Sequence, residues 1–446
     1  MASDLLSIGA SGARTARGAL EVTANNIANA STDGYVRRSV RIEEVSGGTI
    51  AGRGSDIAVS GSRVAEVRRN ADSFRQAEMR RTQSDLQRAN VELSGLQNIE
   101  AAVEQANIFG SIVEFEASLQ QLSGDPTDSA RRAAVIAEAE TLASKFNITS
   151  GSLASVGEGL RFNAAADVEN MNTYGAELAR VNLRLARSGL GSNDQAALLD
   201  QRDNLLERMS AFASITTTFA SDGTVAVGVG PSPATSFVAG GTAGILTSTV
   251  AGDGTLSFEI DGTAITPGSG SLSGASLALT DLASVGARLD AAAASIADTI
   301  NAAQANGVDL SGAAGQPLFA GNSAATLRVV MSASSALATA PAGSPANERN
   351  QQNLVEMRQA LASANPADGV NSILFDVSSK VAGRSVTQGA LETIASSARI
   401  ALEEQSGVDL DNEAANLIRY QQAFQASGRA MQVASDIFDT LLGIGR

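Results

Sequence analysis

The sequence predicts a mainly α protein: an elongated bundle of long helices, with its terminal helices paired as an inner coiled coil and one small all-β insertion. Three observations predict it. Apolar residues keep helical spacing over about 55 residues in the middle of the chain. Near residue 213 the period switches to two, and Gly, Ser and Thr take over. Each end of the chain reads as a helix with a thin apolar stripe repeating every seven residues.

The first helix is expected over residues 4–30. Leu6, Ala13, Leu20 and Ile27 recur by sevens, with Ala10, Ala16 and Ala24 between them. So narrow a stripe suits a seam against another helix better than a globular core. The stretch ANNIANASTDGYVRRS, residues 24–39, then stops the helix. Asn25, Asn26 and Asn29 stand where side-chain amides can bond the last unpaired carbonyls, and Asp33-Gly34 supplies a left-handed turn. Capping and a packing role across subunits are both open for these asparagines. YVRRSVRIEEV alternates as a strand, and residues 37–70 read as short strands joined by Gly turns such as SGGTIAGRG.

From Asp72 the period is helical again. Leu86, Ala89, Leu93, Leu96 and Val103 mark a helix ending near Phe109, and a shorter one covers 111–122. Gly124 and Pro126 break the pattern, and Asp128 or Ser129 caps the next helix. That helix is the longest. Val135, Leu142, Thr149 and Val156 run beside Phe146, Leu153 and Leu160, and Met171, Leu178 and Leu185 continue them. Such length implies a rod-like bundle. A further helix covers 194–212.

ITTTFASDGTVAVGVG and GTLSFEIDGTAI alternate in period two, which places a β insertion at 213–276. Its DGT triplets, starting at Asp222, Asp253 and Asp261, read as hairpin turns. No multi-carboxylate loop surrounds them to make calcium ligands. GSGSLSG lacks the Gly-Lys-Ser/Thr ending of a phosphate loop and reads as plain loop. Helices are expected again at 281–306, 347–363, 378–405 and 411–442, with PLFAGNSAATLRVVMS as loop and strand and APAGSPAN as surface loop. The corresponding domains are 1–35, 36–212, 213–276, 277–405 and 406–446.

In the last helix Leu410, Leu417, Phe424, Met431 and Phe438 recur every seven residues, and Ala414, Gln421, Gly428, Ser435 and Leu442 take the other seam position. Asp411 caps it and Glu413 sits at its positive end, a stronger reading than a metal cluster with Asp409. Leu6, Ala13, Leu20 and Ile27 are expected to face Leu417, Phe424, Met431 and Phe438 in an inner coil. The apolar residues left over would be covered by further copies or by neighbours in an assembly.

Composition excludes much chemistry. The 446 residues contain no Cys, His or Trp and only two lysines, Lys145 and Lys380. Without His or Cys there is no imidazole acid or base, no thiol nucleophile and no zinc or iron–sulfur shell. The remaining enzyme class is a hydrolase of cell-wall glycan using two carboxylates roughly 5–9 Å apart. With 4% aromatic residues and no Trp, sugar-binding faces are scarce. No catalytic, cofactor or metal residues are assigned. The net charge of −15 argues against nucleic acid and against a polybasic membrane anchor. No window of 18 apolar residues would span a membrane, and the first 18 residues make a poor cleaved signal, with Asp4 and no early positive charge.

The two ends carry a resemblance. ANNIANASTDGYVRRS resembles the N-terminal motif of the flagellar rod, hook and hook-associated proteins, with Asn25, Asn26, Ile27, Asn29, Gly34 and Tyr35 at motif positions. NEAANLIRYQQAFQASGRAMQVASDIFDTLLGI resembles their C-terminal motif. LSGDPTDSARRAAVIAEAETLASKFN, LLDQRDNLLERMS and NAAQANGVDLSGAAGQPLF resemble segments of the hook-associated protein 1 family, the hook–filament junction proteins. The resemblance implies a subunit that self-assembles into a ring between hook protein and a second junction protein. It also implies type III export to the cell exterior without a cleaved signal, with an export chaperone at the C-terminus. The nearest alternatives are the second junction protein itself or a hook or rod subunit. The insertion at 213–276 is small for the family.

Overall fold

The structure, a computed structural model, describes residues 2–32, 34–45, 61–189 and 191–444. Asp33 and the turn expected around 46–54 lie outside the described residues. Long helices dominate: α1 Ala2–Ala28, α2 Ser73–Ala106, α3 Ile108–Ser123, α4 Ser129–Leu185, α5 Asn193–Phe212, α6 Gly270–Ala305, α7 Gln352–Ala364, α8 Pro366–Ser406 and α9 Leu410–Ile444. The hairpin β1 Arg38–Glu44 and β2 Ser62–Arg69 is antiparallel and shifts register between Arg41 and Ile42. The chain divides into two compact units, each discontinuous in sequence. The first comprises Met1–Ser84, Met171–Ile245 and Glu392–Arg446; the second comprises Asp85–Asn170 and Leu246–Leu391.

In the second unit the seven-residue stripe of α4 is the centre of the core. Val135, Leu142, Phe146, Thr149 and Leu153 are buried. Ile112 and Phe115 of α3, Ile296 and Ile300 of α6, and Leu354 and Met357 of α7 pack into the same cluster. Asp128 caps α4 by accepting from the Ala130 and Arg131 amides at 2.8 and 3.0 Å. One turn on, Arg132 is fully buried and donates to the carbonyls of Pro126 and Leu337 and to Thr339 Oγ1 at 2.6, 2.7 and 2.7 Å. Burial lowers its pKa to about 10, partly countered by Asp309.

The strand-rich stretch expected as one domain over 213–276 forms two separate sheets. The antiparallel sheet β3 Ile215–Phe219, β4 Val225–Val229, β5 Thr235–Ala239 and β6 Thr242–Ala243 belongs to the first unit. The three-stranded sheet β7 Leu246–Val250, β8 Leu256–Ile260 and β9 Thr263–Ile265 belongs to the second. Asp222 and Asp253 spend their carboxylates on the turns, each accepting from a Thr two residues later. Asp261 and Gly262 both have positive φ, 49° and 79°, as a two-residue hairpin turn requires. Residues 307–341 add the two-residue pairs β10 Gly307–Val308 with β13 Ala340–Pro341, and β11 Phe319–Ala320 with β12 Arg328–Val329.

Several boundaries differ from the expected ones, three of them with a clear physical reason. The GSGSLSG stretch is not all loop, because α6 starts at Gly270 rather than 281. A Cβ on Gly274 would stand 2.5 Å from the Arg88 carbonyl of α2, so close packing of small residues overrides their poor helix propensity. Similarly, α8 starts at Pro366 rather than 378, because a proline is accepted at a first helical position. In α9 the cap is Asp409, not Asp411: Asp409 Oδ1 accepts from the Asp411 and Asn412 amides.

Candidate assembly interface

The terminal helices α1 and α9 pack against each other within the first unit. Two glycines of α1 lie close against α9. A Cβ on Gly9 would lie 2.6 Å from Met431 Cγ, and one on Gly12 would lie 2.7 Å from Ser427 Oγ. Ascending α1 thus meets descending α9, and the two run antiparallel. Ala13, Ala16 and Ala19 continue the small-residue stripe and are buried. Among the described residues of α9, Ala434 is a buried apolar position.

The predicted seam residues fall unevenly. Ala13 is buried; Leu20, Ile27, Leu417 and Met431 are half-buried; Leu6, Phe424 and Phe438 are exposed. The other seam position read for α9 is corrected. Ala414, Gln421 and Ser435 are exposed, and a Cβ on Gly428 would meet nothing within 4 Å. The face toward α1 instead carries Ser427, Met431 and Ala434, at three- and four-residue steps.

The motif asparagines divide by role. Asn25 and Asn29 donate back to the Glu21 and Asn25 carbonyls of their own helix at 2.9 Å each. Asn26 is buried and pairs with both main-chain groups of Arg38. Its Nδ2 donates to the Arg38 carbonyl at 2.8 Å, and its Oδ1 accepts from the Arg38 amide at 3.0 Å. Tyr35 Oη donates to the same Oδ1 at 2.8 Å. Burial raises the Tyr35 pKa although Arg38 opposes the shift. Gly34 turns the chain at φ 76°, a conformation that favours glycine.

Charges buried in this unit hold the hairpin. Asp200 of α5 takes Arg38 and Arg69 at 3.1 and 2.7 Å. Asp203, one turn on, takes Arg69 and Arg202 at 2.9 and 2.6 Å and Gln76 at 3.1 Å. Burial pushes the Asp200 carboxyl up, and its two arginines only partly offset that. Burial also works against the Asp203 charge, but there Arg202 and Arg69 prevail and hold it below the ordinary value. Composition gave no hint of these pairings, because the partners come from β1, β2 and α5. Glu413, read as a charge at the positive end of α9, stands in its first turn, is buried and accepts from Arg37 Nε at 2.7 Å.

Away from α1, Ala426, Ala430, Val433 and Ile437 follow one face of α9 at three- and four-residue spacing, and all are exposed. A surface hollow of about 300 Å³ lies among Val433, Asp436, Ile437 and Thr440. Among the described residues no group of three or more His, Cys, Asp or Glu is placed to hold a metal ion. None of their helices is long and apolar enough to cross a membrane.

Comparison with known proteins matches segments of the chain to three models of flagellar proteins. The model of the flagellar hook-associated protein FlgK helical domain matches residues 93–319, just over half of the chain. The chain belongs to the FlgK family of flagellar hook-associated proteins. The flagellar rod-protein model matches residues 6–35, covering most of α1, and the C-terminal model of the FlgEFG rod proteins matches 401–444, covering α9. Flagellar hook-associated protein 1 of Escherichia coli is 25% identical over 99% of this chain and 100% of its own length. The Salmonella typhimurium protein of that name is 29% identical over 50% of this chain, in a match spanning 40% of the Salmonella protein. The flagellar hook junction protein FlgK from Burkholderia pseudomallei has a solved structure that aligns with a TM-score of 0.49 at 24% identity. It covers 55% of this chain and 46% of the solved one.

Proposed function

We propose that this chain is a structural, non-enzymatic subunit of the bacterial flagellum that forms the junction between hook and filament. Copies assemble into a ring, with hook protein on one side and a second hook–filament junction protein on the other. The chain reaches the cell exterior through the flagellar type III export channel, and an export chaperone holds its C-terminal segment beforehand. Leu6, Ala13, Leu20, Ile27, Leu417, Phe424, Met431 and Phe438 are the interface residues of the terminal coil.

One observation carries the reading: α9 packs on α1 with one face and leaves Ala426, Ala430, Val433 and Ile437 exposed on another. A continuous apolar face on a terminal helix is stabilised by burial against a neighbour. The test is deletion of residues 411–446, scored by electron microscopy of the cell surface and by protein shed into the medium. Bare hooks with filament subunit lost to the medium are expected. Intact filaments would overturn the proposal.

A further inference from the structure

A cleft of about 620 Å³ in the first unit is lined by Val36, Gln76, Arg80, Asn204, Arg208 and Ser406, among others. Arg80 is 5% exposed, yet among the described residues its guanidinium has no hydrogen-bond or ion-pair partner. Arginine is the residue most often committed to bidentate pairs when buried, so an unmatched one facing a cavity is unusual. Asp203, Glu207 and Glu403 line the same cleft, and two of them are engaged elsewhere. Asp203 is held by Arg69, Arg202 and Gln76, and Glu403 lies 3.8 Å from Arg399. Asp203 and Glu207 favour the Arg80 charge through space, while burial and Arg202 oppose it. Arg208 lines the same cleft. It lies over the Tyr174 ring at 5.8 Å and has no carboxylate ion pair among the described residues.

We propose that this cleft is a receptor for a carboxylate, with Arg80 and Arg208 as its two guanidinium ligands, and that an Asp or Glu side chain of a neighbouring copy of this chain fills it on assembly. The chain carries 47 acidic residues against 32 basic ones, so copies meet with carboxylates in excess. A side chain tethered across an interface also reaches an effective concentration that a free anion does not. The neighbour as the source rests on the assembly reading above. The carboxylate chemistry does not.

The test uses the full chain at a dilution where it is monomeric, with acetate as the probe against chloride at constant ionic strength. Side-chain Nε–H resonances are followed by NMR, those of Arg80 and Arg208 being identified by their loss in R80M and R208Q. Acetate is expected to shift both in a saturable way, and R208Q to weaken the Arg80 response several-fold. R80M removes a buried unpaired charge, so its melting temperature in chloride is expected to rise while acetate stabilisation is lost. Equal shifts in acetate and chloride would overturn the proposal. So would an unchanged Arg80 response in R208Q, or an R80M chain that melts lower while still responding to acetate. Concentrating the wild type without acetate is expected to move the Arg80 resonance as acetate does. If self-association proceeds and leaves that resonance still, the neighbour is not the source.

Discussion

Arg37 Nε donates to Glu413 Oε1 at 2.7 Å, joining residues 376 positions apart. Arg37 leads into β1, and Glu413 stands in the first turn of α9, so the pair ties the two ends of the chain within one unit. The Arg37 amide also donates to the Ser406 carbonyl at 2.9 Å. The other Glu413 oxygen is buried with no partner among the described residues.

Arg37→Met therefore leaves an uncompensated buried carboxylate. Removing one partner of a buried pair costs about 3–5 kcal/mol. The double variant Arg37→Met with Glu413→Gln should recover much of that. Urea unfolding of the four corners of this cycle checks it, and equal losses in the single and double variants would refute it.

Asn26 is expected to be the asparagine that matters to the free chain. Asn26→Ala leaves both Arg38 main-chain groups without their partners, at a cost of about 1–3 kcal/mol for each buried group. Asn25→Ala and Asn29→Ala remove exposed bonds back to their own helix, with a long one from Thr32 Oγ1 to Asn29, and should cost well under about 1 kcal/mol. Hydrogen exchange at the Arg38 amide separates the cases: it should quicken in the first variant alone.

Acid should act on the α5 carboxylates in opposite senses. The Asp203 pKa is lowered by folding, so its contribution is full above the ordinary value of 3.8 and is lost as pH falls through the folded value. The Asp200 pKa is raised, so the native state takes up its proton first, and that group favours folding more as pH falls from its folded value toward 3.8. Asp203→Asn should therefore remove part of the acid lability of the chain, whereas Asp200→Asn should leave the acid limb in place. Melting temperature against pH for both variants is the measurement.

The glycines of the terminal helices should respond in opposite directions. Gly9→Val forces atoms into Met431 and the Ser427 carbonyl, and overpacking of this kind costs about 1–3 kcal/mol. Gly428→Ala meets open space and should stabilise the free chain by about 0.5–1 kcal/mol through helix propensity. Helicity and thermal melting of the unassembled protein decide both.

Period and punctuation made most elements legible in advance. Val135, Leu142 and Phe146 signalled the buried stripe of α4 because a helix repeats its face at nearly fixed intervals, whatever it packs against. Asp128 capped where its side chain could reach the next amides, which is a local event. The asparagine motif located the end of α1, but its spacing said nothing about which amide turns inward. Gly9 and Gly12 could have been suspected from their three-residue spacing, yet small residues mark a close approach only once a partner helix is present.

Sequence alone thus determined the helical elements, the alternation of the strands, the chemistry excluded by the missing His and Cys, and the family motifs at the two ends. Tertiary structure decided which residues meet. Asn26 found Arg38, Glu413 found Arg37, and Asp203 found Arg69 across 134 positions of chain. The physical reason is range. Capping and periodicity act over a few residues and are written in order along the chain, whereas a buried ion pair or a helix seam depends on contacts that only folding brings together.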